Sequence, residues 1–481
     1  MTFIRALEFF SGIGGLHFGF NASGANGQVL ESFDMNQQAN DTYKLSFGKS
    51  PVSRGIDRLM VKDIEKYNAN CWLMSPPCQP YTRGGKLLDD QDNRAKPLLH
   101  LLDQLEKLKT PPQYLFLENV KNFETSRSRH RLVTLLNKMG YVFRECLLAP
   151  YNFGVPNDRL RYFLMARLRS SFGTPTTATS TTHDGTVLRP EKFDPETEII
   201  YSSWPLPAFV EDPRKSLQQH TFNIPELQKF MDENEKDGKD YLLSRQLILE
   251  RPNFRFDILQ PTSTRSACFT KAYGSHHVAG GGSLLQTQKM DQQEYDFGNS
   301  ESIADLGIRF LTPTEVARIH VFPLDEKHDS PNPFESTTCT DNVESGSSAH
   351  SSGDSLTTVR PFNPRLTQGR EGPFLRFPDK LKALQRYKLL GNSLNVWVVA
   401  ELLRGVLFAE HPGAPRPEYQ PADGDSESNA ERPAMESSNN AEGPEGGKHD
   451  ITAPEDGLSE QTQGDLQEDE SSRETKRARV E

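Results

Sequence analysis

The first third of the chain alternates apolar runs of strand length with amphipathic helical patterns, and this alternation constrains the fold more than any other feature. Strands that alternate with helices of this length build a parallel sheet that is covered on both faces. The predicted strands are 4–10, 29–34, 71–75, 114–118 and 161–167, and the predicted helices are 37–47, 97–108 and 129–139, with a further helix that starts at Gly15. We therefore predict an α/β fold with a doubly wound sheet.

The pattern changes after residue 168, and the change indicates how the chain is divided. Residues 190–310 lose the alternation and gain Pro and aromatic residues, which indicates a smaller, irregular second domain. Helical periodicity returns at 311–323 and again at 396–408. The predicted domains are a first domain at 1–189 plus 371–411 and a second domain at 190–323.

Two acidic, polar segments are predicted to be disordered. Residues 412–481 hold 18 Asp and Glu against 7 Lys and Arg, a net charge of −11 that equals the net charge of the whole chain. Residues 324–360 hold 7 acidic and 2 basic residues and almost no large apolar ones, and we extend this insertion to 324–370. The rest of the chain is mildly basic, so the overall acidity does not argue against a nucleic-acid partner.

Cysteine spacing and hydropathy argue against two classes of protein. The five cysteines, Cys71, Cys78, Cys146, Cys268 and Cys339, form no Cys-x-x-Cys pair and no Cys/His cluster at zinc spacing, so neither a disulfide framework nor a structural metal is predicted. No stretch approaches the roughly 18 apolar residues of a membrane span, and the amino terminus lacks a signal-peptide pattern. We expect an intracellular protein with reduced thiols and no membrane partner.

A glycine-rich turn follows the first predicted strand, in the sequence Phe9-Phe-Ser-Gly-Ile-Gly-Gly-Leu16. Glycines let the backbone approach a ligand closely at a helix N-terminus. The turn lacks the Gly-Lys-Ser/Thr of a phosphate-binding loop, and His17 stands where the dinucleotide fingerprint needs its third glycine. Asp34 ends the second strand about 20 residues further on, where an acid binds ribose hydroxyls. The turn alone leaves two interpretations about even: a nucleoside site without a pyrophosphate, and a turn that only packs helix on strand.

Several reactive side chains follow strand ends in the same part of the chain. Ser75-Pro-Pro-Cys-Gln-Pro80 displays Cys78 at the sheet edge where doubly wound folds bind ligands, and a cysteine between prolines is a poor apolar filler, so we predict a nucleophile. Glu118 ends the next strand at the same edge, although a capping or salt-bridged glutamate also fits. Arg159 and Arg161 alternate at strand spacing and therefore face one side, as they would on a solvated strand.

The order of these motifs resembles that of the cytosine-5 methyltransferases. Phe-Ser-Gly-x-Gly-Gly is followed by Pro-Pro-Cys-Gln, Glu-Asn-Val, Arg-x-Arg and Gly391-Asn-Ser393, and the match spans 4–168 and 305–408. Five motifs in family order are not expected by chance. The resemblance implies a Rossmann-like sheet that binds S-adenosyl-L-methionine (SAM), with a smaller irregular target-recognition domain at 190–323.

A further segment resembles one subfamily. Ala267-Cys-Phe-Thr-Lys-Ala-Tyr-Gly274 is similar to the Cys-Phe-Thr-x-x-Tyr signature of the enzymes that methylate tRNA, a subfamily first classed as a DNA methyltransferase. The segments around Cys78, Arg159 and Asn392 also resemble that subfamily more than the DNA enzymes. The resemblance implies methylation of cytosine C5 in tRNA, in the anticodon loop of aspartate tRNA. The 324–370 insertion and the acidic tail depart from the family pattern.

The resemblance also implies a role for each catalytic residue. Cys78 would add to cytosine C6, which makes C5 nucleophilic. Glu118 would offset the developing charge at N3, and Arg159 and Arg161 would hold the base and support the thiolate. The target base must leave its stack, at a cost that is reduced in an anticodon loop. No metal is required.

The implied binding residues fall into two groups. Those expected to bind SAM are Phe10, Ser11, Gly12, Gly14, Gly15, Leu16, Asp34, Ile56, Asn392 and Ser393. Those expected to contact the nucleic acid are Gln79, Asn119, Cys268, Phe269, Thr270, Lys271 and Tyr273.

Two other functions stay open on the sequence. A DNA cytosine-5 methyltransferase would use the same catalytic residues, and a catalytically silent nucleic-acid-binding protein would keep the fold without needing the whole catalytic set. We expect a monomer that binds tRNA, with DNA as the alternative, in the cytoplasm, the nucleus or both. Lys476-Arg-Ala-Arg479 fits a weak nuclear import signal and fits a solvated basic patch better.

Overall fold

The computed structural model describes most of the first 409 residues. The described residues are 2–82, 88–169, 193–207, 209, 214, 217, 219–232, 238–275, 281–325, 360, 362 and 372–409. The predicted tail at 412–481, with the basic stretch 476–479, lies outside them, as does the predicted insertion at 324–370 apart from four of its residues. The disorder that the sequence predicts for both segments stays a prediction.

Seven strands of the described chain form one sheet. They are β1 (Ile4–Phe9), β2 (Gly27–Phe33), β3 (Cys71–Met74), β4 (Tyr114–Val120), β5 (Tyr141–Leu148), β6 (Arg161–Leu168) and β7 (Ile200–Tyr201), in the order β2-β1-β3-β4-β6-β5-β7. β1 is parallel to β2 and β3, and β3 to β4, whereas β6 is antiparallel to both of its neighbours. The α/β class is confirmed. The alternation predicts a wholly parallel sheet, and this is wrong, because β6 runs antiparallel to both of its neighbours.

Helices cover both faces of this sheet. Ile4 and Ala6 of β1 point into one core, and Leu7 and Phe9 point into the other. The helices of this part are α1 (Gly15–Ser23), α2 (Gln37–Phe47), α3 (Val61–Glu65), α4 (Lys96–Lys107) and α5 (Arg127–Lys138). α1 packs on the first core, and α4 and α5 pack on the second, so the sheet is doubly wound as predicted. No helix in the described ranges is both long and apolar enough to cross a bilayer.

The sequence pattern does not predict β5, because two charged residues, Arg144 and Glu145, interrupt its apolar run. Both side chains are buried all the same. Glu145 accepts hydrogen bonds from the guanidinium of Arg129 on α5, at 2.8 Å from Nε and 2.6 Å from Nη2. A buried, bidentate ion pair therefore ties α5 to the strand that follows it.

A three-stranded sheet organises the second half of the chain. Its elements are α6 (Arg245–Leu249), β8 (Ile258–Leu259), β9 (Leu284–Leu285), α7 (Ser300–Ala304), β10 (Arg309–Phe310) and α8 (Pro313–Ile319), and the strand order is β10-β9-β8. Thr312 caps α8 by accepting the Glu315 N–H, and Glu315 forms a buried ion pair with Arg309 at 2.8 Å. Residues Met1–Pro415 form one compact unit, so the predicted boundary at residue 190 stays a prediction.

Two α-helices near the end of the described chain bring it back beside α1. α9 (Ala383–Gly391) leads into α10 (Val396–Leu402), whose apolar side chains fill the core beside α1. Gly19 of α1 permits the close approach, because a Cβ there would lie 2.5 Å from Val399 Cγ1. The predicted helix at 396–408 is confirmed in its first part, and its end is a π-helix, Leu403–Leu407.

A buried polar cluster beneath the glycine turn joins β1, α1 and α2. Glu8 is fully buried and accepts hydrogen bonds from the Tyr43 hydroxyl at 2.9 Å and from the His17 backbone N–H at 3.1 Å. The Tyr43 hydroxyl also lies 2.7 Å from His17 Nδ1. Burial raises the pKa of Glu8 to about 8, although both hydrogen bonds lower it, and burial lowers the pKa of His17 to about 3. The cluster is therefore mostly uncharged at neutral pH.

We predict that Glu8→Gln changes how stability depends on pH. In the folded chain Glu8 keeps its proton up to about pH 8, whereas in the unfolded chain it ionises near its ordinary value of 4.5. The folded state binds more protons between these values, so its free energy of unfolding falls as pH rises through this window. Glutamine mimics the protonated carboxyl and removes that loss. We expect the melting temperature of the variant, relative to the wild type, to rise across the window, by about 2–4 °C for each kcal/mol.

Differential scanning calorimetry across the same pH window measures this difference. Glu294→Gln, at an exposed position, is the control and should show no such trend. A melting-temperature difference between Glu8→Gln and wild type that stays constant with pH would contradict a carboxyl that holds its proton in the folded state.

Candidate active site

The carboxyl ends of the parallel strands surround a cavity of about 310 Å³. The segments that follow β1, β2 and β3 line it, together with the end of β4 and the residues around the end of α9. This is the edge at which doubly wound sheets bind ligands. The predicted catalytic and cofactor residues that line the cavity are Phe10, Ser11, Gly12, Gly15, Leu16, Asp34, Ile56, Cys78, Glu118, Arg159, Arg161, Asn392 and Ser393. Gly14 is the one predicted catalytic or cofactor residue that does not line the cavity.

The glycine turn after β1 adopts backbone conformations that favour glycine. The φ angle is +53° at Gly12 and +86° at Gly14. A Cβ at Gly14 would lie 2.4 Å from a ring carbon of Phe47 in α2, whereas a Cβ at Gly12 would meet nothing within 4 Å. Gly14 therefore supports the turn by packing, and Gly12 presents open backbone to the cavity.

Asp34, at the end of β2, holds the glycine turn in place. Its Oδ2 accepts the Gly12 N–H at 2.8 Å, and its Oδ1 accepts the Asn36 N–H at 2.7 Å. Burial raises the pKa of Asp34, and these backbone hydrogen bonds oppose that rise. The carboxylate thus fixes the spacing between the two strand ends, and its predicted contact with ribose hydroxyls stays a prediction.

The lining of this part of the cavity fits the predicted cofactor, a nucleoside with an amino-acid tail. Ser11 Oγ is buried and has no hydrogen-bond partner within the described part of the chain, so its hydroxyl is available to a ligand. Phe10, Met35 and Ile56 add apolar surface beside the Asp34 carboxylate. A mixture of apolar surface with a few directed polar groups is typical of a cofactor site.

The loop after β3 presents Cys78 to the cavity. Two prolines follow Ser75 and fix the backbone, and the 3-10 helix Gln79–Tyr81 begins directly after the cysteine. The Asn119 side-chain amide donates a hydrogen bond to the Pro76 carbonyl at 3.3 Å, which ties this loop to the end of β4. The loop that carries the Cys78 sulfur is thereby tied to two strands of the sheet, β3 and β4.

Glu118 lies at the end of β4 in the interior of the same cavity. It accepts a hydrogen bond from the Ser75 hydroxyl at 2.9 Å, and its Oε1 lies 3.4 Å from Arg161 Nε. Burial raises the pKa of Glu118, and the charges of Arg161 and Arg159 oppose that rise. Burial likewise raises the pKa of the Cys78 thiol, and the same arginines oppose it. Both acids therefore hold their protons more firmly than exposed groups do.

Arg159 is buried and joins three distant parts of the chain. Nη1 donates to the Phe269 carbonyl at 2.8 Å, and Nη2 donates to the Gly391 carbonyl at 2.9 Å and to the Ser393 carbonyl. Its Nε has no hydrogen-bond partner among the described residues. The sequence predicts that Arg159 holds the target base, whereas here the guanidinium binds backbone carbonyls, so contact with a base stays a prediction.

Cys268 faces the same two arginines as Cys78. Its Sγ lies 3.4 Å from Arg159 Nη1 and 3.8 Å from Arg161 Nη2. Burial alone would raise the pKa of the Cys268 thiol, but the two guanidinium charges outweigh burial, and the pKa lies below its ordinary value. Within this part of the molecule, Cys268 and not Cys78 is the thiol whose pKa is lowered.

Two of the predicted nucleic-acid contacts lie in the interior of the smaller part of the fold. Phe269 and Tyr273 are almost fully buried, with ring centroids 5.0 Å apart, and Tyr273 also packs on Tyr387 of α9. The Tyr273 hydroxyl accepts the Leu311 N–H at 2.8 Å. These rings stabilise the segment that carries Cys268, and direct contact with a nucleic acid stays a prediction for both.

The other predicted contacts lie closer to the cavity. Gln79 and Asn119 line it. The backbone between Thr270 and Lys271 crosses directly over Gly391, where a Cβ would lie 2.3 Å from the Lys271 nitrogen. Gly391 is therefore required for this crossing, which joins the Cys-Phe-Thr segment to the cofactor side of the site.

Several residues that line the cavity are not predicted from the sequence. Ser75 opens the Pro-Pro-Cys motif and Met35 follows Asp34, so both stand beside a signal that could have found them. Pro97, by contrast, lies in a stretch without a motif, and its place follows only from the packing of α4. Among the described residues, no group of three or more His, Cys, Asp or Glu side chains could hold a metal ion.

Known proteins are similar to this chain in sequence and in fold. The family model described as C-5 cytosine-specific DNA methylase matches residues 4–345. A Dictyostelium discoideum protein named DNA (cytosine-5)-methyltransferase is 34% identical over 84% of this chain and 94% of its own. A Homo sapiens protein named tRNA (cytosine(38)-C(5))-methyltransferase is 32% identical over 83% of this chain and 98% of its own. The crystal structure of a mutant of Spodoptera frugiperda DNMT2 covers 84% of this chain and 100% of its own, with 29% identity and a TM-score of 0.57.

The two relatives differ in the nucleic acid that their names give, but they share the reaction at cytosine C5. The solved structure has the methyltransferase fold that the sheet and the cavity of this chain display. The chain therefore belongs to the C-5 cytosine-specific DNA methylase family, whose enzymes use S-adenosyl-L-methionine to methylate cytosine.

Proposed function

We propose that this enzyme methylates C5 of a cytosine in the anticodon loop of tRNA, with aspartate tRNA as the expected substrate. The observation that carries the proposal is the convergence of Cys78, Glu118 and Arg161 on the cavity that also contains the glycine turn. The human relative named for a tRNA reaction and the Cys-Phe-Thr segment favour RNA as the substrate. Bases in an anticodon loop are partly unstacked already, so one of them enters such a cavity at a reduced cost.

In the proposed reaction, Cys78 Sγ adds to C6 of the cytosine, and its thiol proton leaves to solvent or to a nearby base. The new sulfur–carbon bond saturates C6 and moves the ring electrons toward N3 and C5. Glu118, whose buried carboxyl tends to keep its proton, donates to N3 and offsets the charge that develops there. When bound, SAM supplies the electrophilic methyl group. Loss of the C5 proton and departure of Cys78 then restore the aromatic ring.

The remaining cavity residues would position the two reactants. Ser11, Gly12 and Asp34 would bind the polar parts of SAM, Phe10 and Ile56 its apolar faces, and Asn392 and Ser393 would close the pocket. The Arg161 charge lowers the pKa of Cys78 and so supports the thiolate, and its Nε lies 3.4 Å from Glu118 Oε1, where it holds the carboxyl in place. Residues 190–323 would then serve as the target-recognition part and residues 1–189 plus 371–411 as the catalytic part.

DNA is the second candidate substrate, and one observation favours it. The Dictyostelium discoideum relative carries the name of a DNA enzyme, and nothing in the proposed chemistry requires a ribose 2′-hydroxyl. The two substrates are separated by a direct comparison of methyl transfer.

We predict that purified protein transfers tritium from labelled SAM to total tRNA and not to genomic DNA, and that Cys78→Ala abolishes the transfer. The variant lacks the sulfur that adds to C6, so the ring is not activated. Scintillation counting of each nucleic acid measures the transfer, and base-resolved mapping locates the methyl group.

Calorimetric binding of SAM is the control for Cys78→Ala, and we expect its dissociation constant to stay near that of the wild type. Label in DNA alone would replace the tRNA proposal with the DNA alternative. Full activity of Cys78→Ala would exclude the covalent step with either substrate.

We predict that Glu118→Gln lowers kcat by about 10²- to 10⁴-fold, the usual contribution of a positioned proton donor. Burial raises the pKa of Glu118, so the wild type loses its active, protonated form only as pH rises through that raised value. Glutamine cannot ionise, so the rate–pH profile of the variant should lack the inflection that Glu118 produces and keep the inflection that Cys78 produces.

Rate–pH profiles of the two proteins at saturating tRNA test this. Ser75→Ala is a matched variant, because it removes the hydroxyl bonded to Glu118 and leaves the carboxyl. The Ser75 hydroxyl lowers the Glu118 pKa, so the Glu118 inflection in the profile of Ser75→Ala should move to higher pH. A Glu118→Gln profile that parallels the wild type would show that Glu118 is not the proton donor.

A further inference from the structure

An exposed aromatic side chain stands beside the active-site edge without a place in either core. Tyr151 follows β5 in the 3-10 helix Pro150–Phe153, and its side chain is 38% exposed. The last residue of β5, Leu148, pairs with Arg161, which lines the catalytic cavity. Tyr151 therefore lies at the same edge of the sheet as the cavity, three residues beyond that pair.

A guanidinium lies over the Tyr151 ring. The Arg265 carbon Cζ is 5.2 Å from the ring centroid, within the range of a cation–π contact. Arg265 also forms an ion pair with Asp158, with its Nε 2.8 Å from Oδ2. Asp158 directly precedes Arg159, a cavity residue, so their Cα atoms are about 3.8 Å apart. The aromatic ring, the cation and the cavity wall thus form one continuous stretch of the molecule.

The backbone beneath this pair is held by a buried hydrogen-bond network. The Asn157 side-chain amide is fully buried and donates to Ser266 Oγ at 3.1 Å and to the Ala267 carbonyl at 3.0 Å. The Asp158 N–H donates to the Ser266 carbonyl at 2.8 Å, and the Tyr151 N–H donates to the Asn157 carbonyl at 3.2 Å. A site that is carried by such a network keeps its geometry without a bound partner.

Stability alone does not account for the arrangement. Exposed ion pairs such as Asp158–Arg265 contribute little to folding, because water screens them and two side chains lose freedom. Among the described residues, the Tyr151 ring packs against the Arg265 guanidinium and stays 38% exposed. Asp158 instead orients the guanidinium plane, which is a form of preorganisation for a ligand.

We propose that Tyr151 and Arg265 form a stacking platform for a nucleobase that neighbours the target cytosine in the RNA. The inference rests on the proposed function, because it requires a substrate whose bases are splayed out of their stack. Aromatic rings and guanidinium planes are the surfaces on which unstacked RNA bases are held. The Arg265 guanidinium is itself exposed, so a base at this place can meet the planar cation as well as the ring. The platform would hold the flanking base while the cytosine occupies the cavity.

Steady-state kinetics and binding with an anticodon stem-loop RNA test the platform. We expect Tyr151→Ala to raise KM for the RNA by about 5- to 150-fold, the cost of one lost base–aromatic stack, with kcat changed less. Tyr151→Phe keeps the ring and should stay within about twofold of the wild type. Arg265→Lys keeps the charge and loses the planar surface, so it should lie between the two.

A stem-loop with 2-aminopurine in place of each base that flanks the cytosine reports the stack directly. Fluorescence of one of the two positions should be quenched by the wild type and by Tyr151→Phe, and not by Tyr151→Ala. Phe3→Ala is the matched control, because Phe3 is 44% exposed and precedes β1 at the opposite edge of the sheet. Its kinetics should be unchanged, and SAM should bind every variant with the affinity of the wild type.

The failure of the platform differs from the failure of the proposed function. If the wild type methylates tRNA and Tyr151→Ala retains both its KM and its quenching, the platform is overturned and the function stands. If the wild type labels no tRNA, the function is overturned and the RNA platform with it. If Phe3→Ala weakens RNA binding as much as Tyr151→Ala does, the effect is not a local stack and the platform is again overturned.

Discussion

The buried guanidinium of Arg159 is the contact on which the assembly of the site depends. Its hydrogen bonds reach the carbonyls of Phe269, Gly391 and Ser393, and so join the sheet, the smaller part of the fold and the chain's return segment. A buried cation without enough acceptors is strongly destabilising, so the three segments must close around it together. Burial also lowers the pKa of Arg159, because the buried cation has lost its contact with water. The three carbonyls replace part of that hydration. The cavity has its observed form because the two Nη atoms of this one side chain bind acceptors on three segments.

The electrostatics of the cavity are a balance between burial and two positive charges. Burial raises the pKa values of Cys78 and Glu118, and Arg159 and Arg161 restrain both. Cys268 Sγ lies 3.4 Å from Arg159 Nη1 and 3.8 Å from Arg161 Nη2, and the pKa of this thiol moves in the opposite direction. The same two guanidinium groups therefore outweigh burial at Cys268 and do not outweigh it at Cys78.

Sequence alone predicts the parts of this molecule whose signals are local. Asp34, Cys78 and Glu118 each follow an apolar strand, and parallel strands bring their carboxyl ends to one edge, so their meeting in one cavity follows from the pattern. The pattern does not predict the antiparallel direction of β6. It does not predict β5 either, because the charged Glu145 of that strand is buried by pairing with Arg129 on another element. The hydrogen bonds of Arg159 lie beyond local pattern for the same reason, since two of its acceptors are more than 230 residues away. The motif around Cys268 indicates that the segment is important. It does not predict that the rings of Phe269 and Tyr273 are buried.

The return of the chain from Gly391 to the first strand has a consequence for how the protein is made. The glycine turn is synthesised early. Asn392 and Ser393, which close the pocket beside it, are synthesised only after most of the remaining chain. Contacts so distant in sequence form slowly, and exposed sheet edges are vulnerable to misassembly until they do. The core that α1 shares with α10 stays open throughout that interval. A nascent chain of this protein therefore carries its nucleophile well before it has a complete cofactor pocket, and methyl transfer begins only when synthesis has passed the last of these segments.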